Sequence, residues 1–219
     1  MSALPSPVKG IDDLAGMTAA LMQSRQTILP KRLIEPGPDA AQLEQIFSVA
    51  ATAPDHDQLR PWRFILVPPS ERHRLADAFA TALQERDASA TEDELGRARD
   101  KAYRAPLLML VVVDARRGDV DIDLNERVVS AGCALQNMLL MATAQGLGSA
   151  LTSGKALKSP GLRALFGLSP DELALCFVSL GTVQSRKPAR ARPEPRDFVS
   201  SLTGTHEAAS DGIPEKTSL

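Results

Sequence analysis

The segment from Asn125 to Gln145 constrains the fold of this 219-residue chain more than any other, because its apolar residues cover nearly the whole circumference of one long helix. A helix that is apolar on every side has to be buried on every side. Its run of small residues, Ser130 to Ala134, would let another backbone approach closely. Two arrangements remain open: the rest of the chain encloses the helix, or part of the helix packs against a second copy in a dimer.

Three apolar runs predict strands. Phe64–Val67, Leu107–Val113 and Ala174–Leu180 are short runs that combine β-branched, aromatic and other apolar residues, which favours buried strands. Leu107–Val113 has the strongest strand character of the three. We therefore expect it at the centre of a sheet.

Helix signals lie between these strands. The clearest is Asp39 with Gln42 three residues later, which is the pattern of a capping box at a helix start. Further helices are expected over Leu14–Gln23, after Ser70, after Ser159 and, as a partly exposed helix with a lid-like excursion, within residues 88–104.

Composition and charge narrow the class of protein. A share of 43% apolar residues fits one soluble domain, which we place at residues 14–202 between a flexible arm, 1–13, and a disordered polar tail, 203–219. The net charge of −2 argues against nucleic-acid binding.

No apolar run reaches the roughly 18 residues of a membrane span, and the polar N-terminal arm does not resemble a secretion signal. The cytoplasm is the expected location. Cys133 and Cys176 lie in apolar stretches and are expected to be reduced core thiols.

The common catalytic and nucleotide-binding motifs are either incomplete or absent in this sequence. Gly146-Leu147-Gly148 begins like a dinucleotide fingerprint, but a helix precedes it and Leu151 takes the third glycine position. The stretch from Gly148 to Lys155 is one residue too long for a phosphate-binding P-loop. No metal-ligand spacing, nucleophile elbow or Cys–His pairing is present. These failures argue against a kinase, a hydrolase and a zinc enzyme.

Four polar segments remain as candidates for a binding site. Arg25-Gln26-Thr27 follows the first helix, where an arginine fork can grip a phosphate and the next two side chains can bond a polar ring edge. His56 lies in a loop, dense in polar residues and proline, that leads into a strand. Residues 150–154 are expected to form a turn with two hydroxyl groups, and residues 185–192 carry four cations. Each also has an ordinary explanation: a solvated helix end, a structural histidine, a simple turn or a solvated charge run.

Taken together and in this order, these segments resemble the FMN-dependent nitroreductase family, in its small single-domain NAD(P)H nitroreductase branch. The resemblance covers residues 14–202. The motifs that carry it are Arg25-Gln26-Thr27, Ala53-Pro54-Asp55-His56 with Pro61-Trp62, Ser130-Ala131-Gly132-Cys133-Ala134 with Ala144-Gln145-Gly146-Leu147-Gly148, and Leu180-Gly181-Thr182. The second and third of these are the most specific.

The resemblance implies an α+β fold of three layers, a central, mostly antiparallel sheet flanked by helices, assembled as an intertwined homodimer with FMN at two interface sites. The family's cofactor contacts would fall on Arg25, Gln26, Thr27, His56, Leu151, Thr152 and Ser153. Arg25 would contact the phosphate, and residues 141–146 match, more weakly, a segment that binds the nicotinamide nucleotide. Family members usually carry two consecutive basic residues where this chain has Arg25-Gln26. Arg186, Lys187 or Arg190 would compensate at the phosphate.

The implied activity is an NAD(P)H-dependent oxidoreductase. Hydride would pass from NADH or NADPH to flavin N5, and the electrons would then pass, by a ping-pong mechanism, to a nitroaromatic, a quinone or a similar small acceptor. Because the flavin carries the chemistry, we expect no catalytic side chain and no metal. Two alternatives stay open: a dimeric protein that binds flavin without turnover, and an enzyme of the same fold with divergent chemistry, such as dehalogenation or flavin destruction.

Overall fold

A five-stranded antiparallel sheet lies between layers of helix in the computed structural model, which describes residues 11–188 and 191–202. The strands are β1 (Leu33–Ile34), β2 (Trp62–Leu66), β3 (Leu107–Asp114), β4 (Gly148–Thr152) and β5 (Glu172–Val183). Their order is β1-β5-β3-β2, and β4 also pairs with β5. β3 therefore lies between β2 and β5, as its apolar sequence predicted.

Six α-helices cover the two faces of the sheet among the described residues. They are α1 (Ile11–Ser24), α2 (Ala40–Ala50), α3 (Arg72–Arg86), α4 (Glu92–Asp100), α5 (Leu124–Ala144) and α6 (Pro160–Leu165). Alternate residues of β3 point to opposite faces, as in any strand. Met109 and Val111 pack against α2 and α5, whereas Leu108 and Leu110 pack against the side of α3 and α6. The predicted three-layer α+β sandwich is confirmed.

Helix α5 is the long apolar helix that the sequence predicted, and a single chain does not bury it fully. Leu135 and Met138 are almost completely buried against the sheet and α2. On the opposite face Val129 is 64% exposed, and Gly132 is exposed as well. The neighbouring helix α1 also presents apolar side chains to solvent, since Met17 is 64% exposed. The described part of one chain therefore leaves an apolar face open along α1 and α5.

The predicted helix signals are mostly confirmed, with one correction at Ser70. The capping box of α2 is present, since Asp39 Oδ1 accepts from the Gln42 amide at 2.8 Å and Gln42 Oε1 accepts from the Asp39 amide at 3.0 Å. Ser70 does not cap α3. It lies inside a short 3-10 turn, Pro69–Glu71, because a proline in the first position starts a helical turn before the serine is reached.

Strand β4 corrects a second prediction, because residues 150–152 belong to a strand and not to a turn. Gly148, Ser149 and Ala150 have weak intrinsic preference for strands. Pairing decides their structure, since the register sets Gly148 opposite Gly181 and Thr152 opposite Phe177. A preference that comes from a neighbour distant in sequence is not visible in the local pattern.

The chain divides into two compact units, Met1–Lys187 and Pro188–Leu219. Every α-helix and strand described above belongs to the first unit. Within its described residues, the second unit contains one 3-10 turn, Pro195–Asp197. Residues 11–13 of the predicted arm belong to α1, while residues 1–10 and the predicted tail, 203–219, lie outside the described residues. In the part of the chain that the structure describes, no helix has both the length and the apolar character to cross a membrane.

The burial of Met138 predicts a large loss of stability on truncation. Met138 is 1% exposed at the centre of the cluster between α5 and the sheet. Met138→Ala is expected to lower the free energy of unfolding by about 2–5 kcal/mol, since it leaves a cavity. Leu66→Ala, at a side chain 44% exposed on the edge strand, is the control and should cost less than about 1 kcal/mol. Urea unfolding at equal protein concentration measures both, and equal losses would contradict this account of the core.

Candidate functional site

The loop before β2 is held in an unusual backbone conformation. Asp57, Gln58 and Arg60 have φ angles of 51°, 54° and 46°, in the left-handed region that non-glycine residues rarely adopt. Asp55 stabilises the loop, because its Oδ2 accepts from the Arg60 amide at 2.6 Å. Such conformations persist only where the surroundings impose them, and they cluster at functional sites.

Helix α5 anchors this loop through a partly buried chain of two hydrogen bonds. Trp62 Nε1 donates to Ser130 Oγ at 3.0 Å, and Ser130 Oγ donates to Asp55 Oδ1 at 3.4 Å. This chain links the two most specific motifs of the sequence, Ala53–Trp62 and Ser130–Ala134. The two motifs lie together because Ser130 is hydrogen-bonded to both Trp62 and Asp55.

His56 contacts the start of α5. Its Nδ1 lies 2.8 Å from Glu126 Oε2, and both side chains are 54% exposed. The hydrogen bond to Glu126 raises the pKa of His56 above its usual value, and the negative charges of Glu126, Asp57 and Asp119 act in the same direction. The imidazole is therefore more readily protonated than an isolated histidine.

A buried arginine that sequence reasoning missed supports the same loop. Arg127 is 1% exposed, and it donates to the carbonyls of Ile122 at 3.0 Å and Arg117 at 2.7 Å, and also to that of Asp119. Arg117 in turn donates from Nε to the Leu59 carbonyl at 2.9 Å. Nothing in the local sequence distinguishes Arg127 from a surface residue at the start of a helix.

The Arg25-Gln26-Thr27 segment lies at the start of β4. Thr27 forms a parallel bridge with Ser149, and the Ile28 amide donates to the Ser149 carbonyl at 2.9 Å. Gly148 leaves room for this contact, because a Cβ there would lie 3.2 Å from Ile28 Cγ1 and 2.6 Å from Leu33 Cδ2. Two of the four predicted segments, residues 25–27 and 150–154, are thereby brought side by side.

The basic segment after β5 begins near the same place. The Gln184 amide donates to the Arg32 carbonyl at 2.9 Å, and Arg186 and Lys187 follow two and three residues later as exposed side chains. Arg190 lies outside the described residues.

A cavity of about 510 Å³ lies between the end of β4 and helices α3 and α4. Thr152 and Ser153 line it, as do Leu29 and Pro30, which follow the Arg25-Gln26-Thr27 segment; Leu151 is not among its lining residues. Its apolar lining includes Phe79, Leu83, Ala98, Leu108, Leu157 and Phe177. Its cations are Arg86, Lys101, Arg104 and Lys155.

Sequence reasoning missed these four cations. Lys101 and Arg104 lie in the polar stretch 88–104, for which the sequence predicts a partly exposed helix with a lid-like excursion, and a charged residue in such a stretch usually faces solvent. Only the packing of α4 and the turn after it against α3 shows that Lys101 and Arg104 share a cavity with residues 152–154.

One chain does not bring all the predicted segments together. His56 lies beside Glu126 at the beginning of α5, whereas Thr27 pairs with Ser149, just beyond the end of that helix. Helix α5 has 21 residues. At a rise of 1.5 Å per residue it separates the two places by about 30 Å.

The remaining candidates for chemistry do not form a reactive centre. Among the described residues, no group of three or more His, Cys, Asp or Glu side chains could hold a metal ion. Burial raises the pKa of the Cys176 thiol to about 11, so this thiol is protonated at neutral pH. A bound cofactor would have to supply any redox chemistry in the cavity.

Comparison with known proteins places the chain in a family. The model of the Nitroreductase family matches residues 33–182. A Haemophilus influenzae protein named "Putative NAD(P)H nitroreductase" is 34% identical over 173 residues, which cover 78% of this chain and 93% of that protein. The chain belongs to the nitroreductase family, as the sequence resemblance predicted.

Solved structures have the same fold. A nitroreductase-like family protein from Bacillus cereus gives a TM-score of 0.71 at 19% identity, covering 93% of this chain and 100% of that one. An FMN- and NADPH-dependent nitroreductase from Sphigopyxis sp. strain HMH gives a TM-score of 0.66 at 18% identity, covering 84% and 98% of the two chains. The α+β sandwich described above is thus the fold of this family.

The contact between His56 and Glu126 predicts a titration that depends on one carboxylate. Because the pKa of His56 is raised, the charged pair is present below the ordinary pKa of histidine and is lost as the pH rises through the raised value. Glu126→Gln removes the charge and most of the shift, so the pKa of His56 should fall toward that of a free histidine. NMR titration of the imidazole measures both proteins, and the same pKa in both would contradict the assignment.

Proposed function

We propose that this protein is an FMN-dependent oxidoreductase that uses NADH or NADPH to reduce a small acceptor such as a quinone or a nitroaromatic. The observation that carries the proposal is the cavity of about 510 Å³, which joins an apolar lining to a cationic wall beside the Arg25-Gln26-Thr27 segment. Membership of the nitroreductase family supports it, as does the cofactor of the Sphigopyxis relative. Each turnover would use one hydride from the nicotinamide and one proton from solvent, reducing a quinone to a hydroquinone or a nitro group to a nitroso group and water.

The residues of the cavity fit a flat heteroaromatic ring that carries negative charge. The cavity volume is within the range of ordinary small-molecule sites. Phe79 and Leu83, which are partly exposed, offer apolar surface to a ring, while Thr152 and Ser153 offer hydroxyl groups to its polar edge. When bound, FMN would supply the hydride-accepting N5 and a carrier for two electrons.

The protein's own residues would hold the cofactor and stabilise its charge. Arg25 would pair with the phosphate, with Arg186 and Lys187 as further partners, because these segments lie near the start of β4 and the end of β5. Lys101 and Arg104 would stabilise the negative charge that the ring gains on reduction. A fixed charge placed where negative charge develops is a large term in catalysis.

The site would be completed by a second copy of the chain. His56 matches a cofactor contact of the family, yet α5 holds it about 30 Å from the Arg25-Gln26-Thr27 segment of the same chain. The open apolar face of α1 and α5, with Met17 and Val129 each 64% exposed, is the surface that a partner would cover. In an intertwined homodimer the His56 loop of one protomer would approach the cavity of the other.

One observation favours a second candidate function, a dimeric protein that binds flavin without turnover. Gln26 stands where family members usually carry a second basic residue, so this chain lacks a cation at one position where the family resemblance implies one. Flavin that co-purifies with the protein but is not reduced by either nucleotide would favour this candidate.

The test of the proposed function is the visible spectrum of the purified protein, followed by anaerobic addition of NADPH and then NADH. We expect a flavin band of nearly one equivalent per chain that bleaches with at least one nucleotide. A colourless protein that fails to bind added FMN would overturn the assignment.

Arg25 provides a point test of the cofactor contact. Arg25→Ala is expected to lose most of the bound FMN, because a charge-assisted pair with the phosphate is removed. The control is Arg74→Ala, at an exposed side chain of α3 that pairs with Glu71. Flavin absorbance per chain measures both variants, and unchanged flavin content in Arg25→Ala would count against the assigned role.

A further inference from the structure

The part of the cavity that a single chain forms has more positive charge than the proposed cofactor requires. Four cations line it, and no carboxylate occurs among its described lining residues. In the described part of the chain, none of the four forms a salt bridge within 4.0 Å. Surface cations usually have carboxylates nearby, so a wall of this composition is suited to an anion.

The part of this wall that carries Lys101 and Arg104 is held in place by a buried arginine. Arg72 is 5% exposed, and its guanidinium donates to the carbonyls of Val67 at 2.9 Å, Ala102 at 2.5 Å and Pro106 at 3.0 Å. Ala102 lies directly after Lys101 and two residues before Arg104. The segment that carries these two cations is therefore tied to the end of β2 and the start of β3.

The proposed cofactor accounts for only part of the charge. Its phosphate is assigned to the segments around Arg25 and Arg186, and its ring gains one negative charge on reduction, which Lys101 and Arg104 would meet. Arg86, at the end of α3, and Lys155, at the start of the 3-10 turn Lys155–Lys158, are left over. A site with an excess of positive charge attracts anions and raises their local concentration.

We propose that Arg86 and Lys155 recognise an anionic group on the electron acceptor, so that the preferred acceptors are small aromatic molecules bearing a carboxylate. This inference rests on the proposed function, because it concerns the ligand that lies against the cofactor. The phosphates of the nicotinamide nucleotide share the same chemistry, and the experiment separates the two sources.

The test is equilibrium binding to the oxidised, FMN-loaded protein in the absence of any electron donor. Para-nitrobenzoate and para-nitrobenzamide have nearly the same shape and differ in charge, so the ratio of their Kd values isolates the electrostatic contribution. We expect para-nitrobenzoate to bind about tenfold more tightly at low ionic strength, and the preference to shrink as salt screens the charges. No preference, or one that salt does not reduce, would overturn the proposal.

Variants locate the effect. Arg86→Gln and Lys155→Gln are each expected to weaken para-nitrobenzoate about threefold and the double variant about tenfold, with para-nitrobenzamide unchanged. Arg74→Gln on α3 and Lys158→Gln in the same 3-10 turn as Lys155 are matched controls, since neither lines the cavity. If the double variant weakened NADP⁺ but left para-nitrobenzoate unchanged, the two cations would serve the nucleotide and the acceptor proposal would be wrong.

The outcome is separable from that of the proposed function. Bleaching of the flavin by NADPH or NADH tests the oxidoreductase, whatever the charge preference of the acceptor. A protein that is reduced normally but binds the two nitro compounds equally would retain the function and lose this inference.

Discussion

The packing of α5 is the constraint on which the rest of the structure depends. One face of this helix, around Met138, closes the core against β3 and β5, and its first turns anchor the His56 loop through Ser130 and Glu126. Its other face, around Val129, stays open in a single chain. The same helix therefore builds the fold, positions one candidate contact and presents an apolar surface.

The length of α5 also determines how a complete site can form. The helix places His56 at one end and the Thr27–Ser149 bridge just beyond the other, so the two halves of the sequence pattern are separate within one protomer. A second copy covering the apolar face would bring complementary halves together and bury that face at the same time. Cofactor binding would then depend on dimerisation, because the same contact between two copies completes the site and covers the apolar face.

Features set by local chemistry were predictable from the sequence, and features set by distant contacts were not. A few neighbouring residues are enough to predict the capping box of Asp39 and Gln42 and the strand over Leu107–Val113. Strand β4 was not predicted, because only its pairing with β5 makes these residues a strand. The positions of Lys101 and Arg127 were not predicted, because the sequence alone does not show whether a charged residue faces solvent, a cavity or buried carbonyls.

Sedimentation of the FMN-loaded protein over a range of concentrations tests the two-chain site most directly, with detection at the protein band and at the visible flavin band. The account predicts that flavin absorbance sediments with the dimer, at one equivalent per chain, and appears as free cofactor when dilution separates the protomers. A monomer that carries its full equivalent of flavin would contradict it.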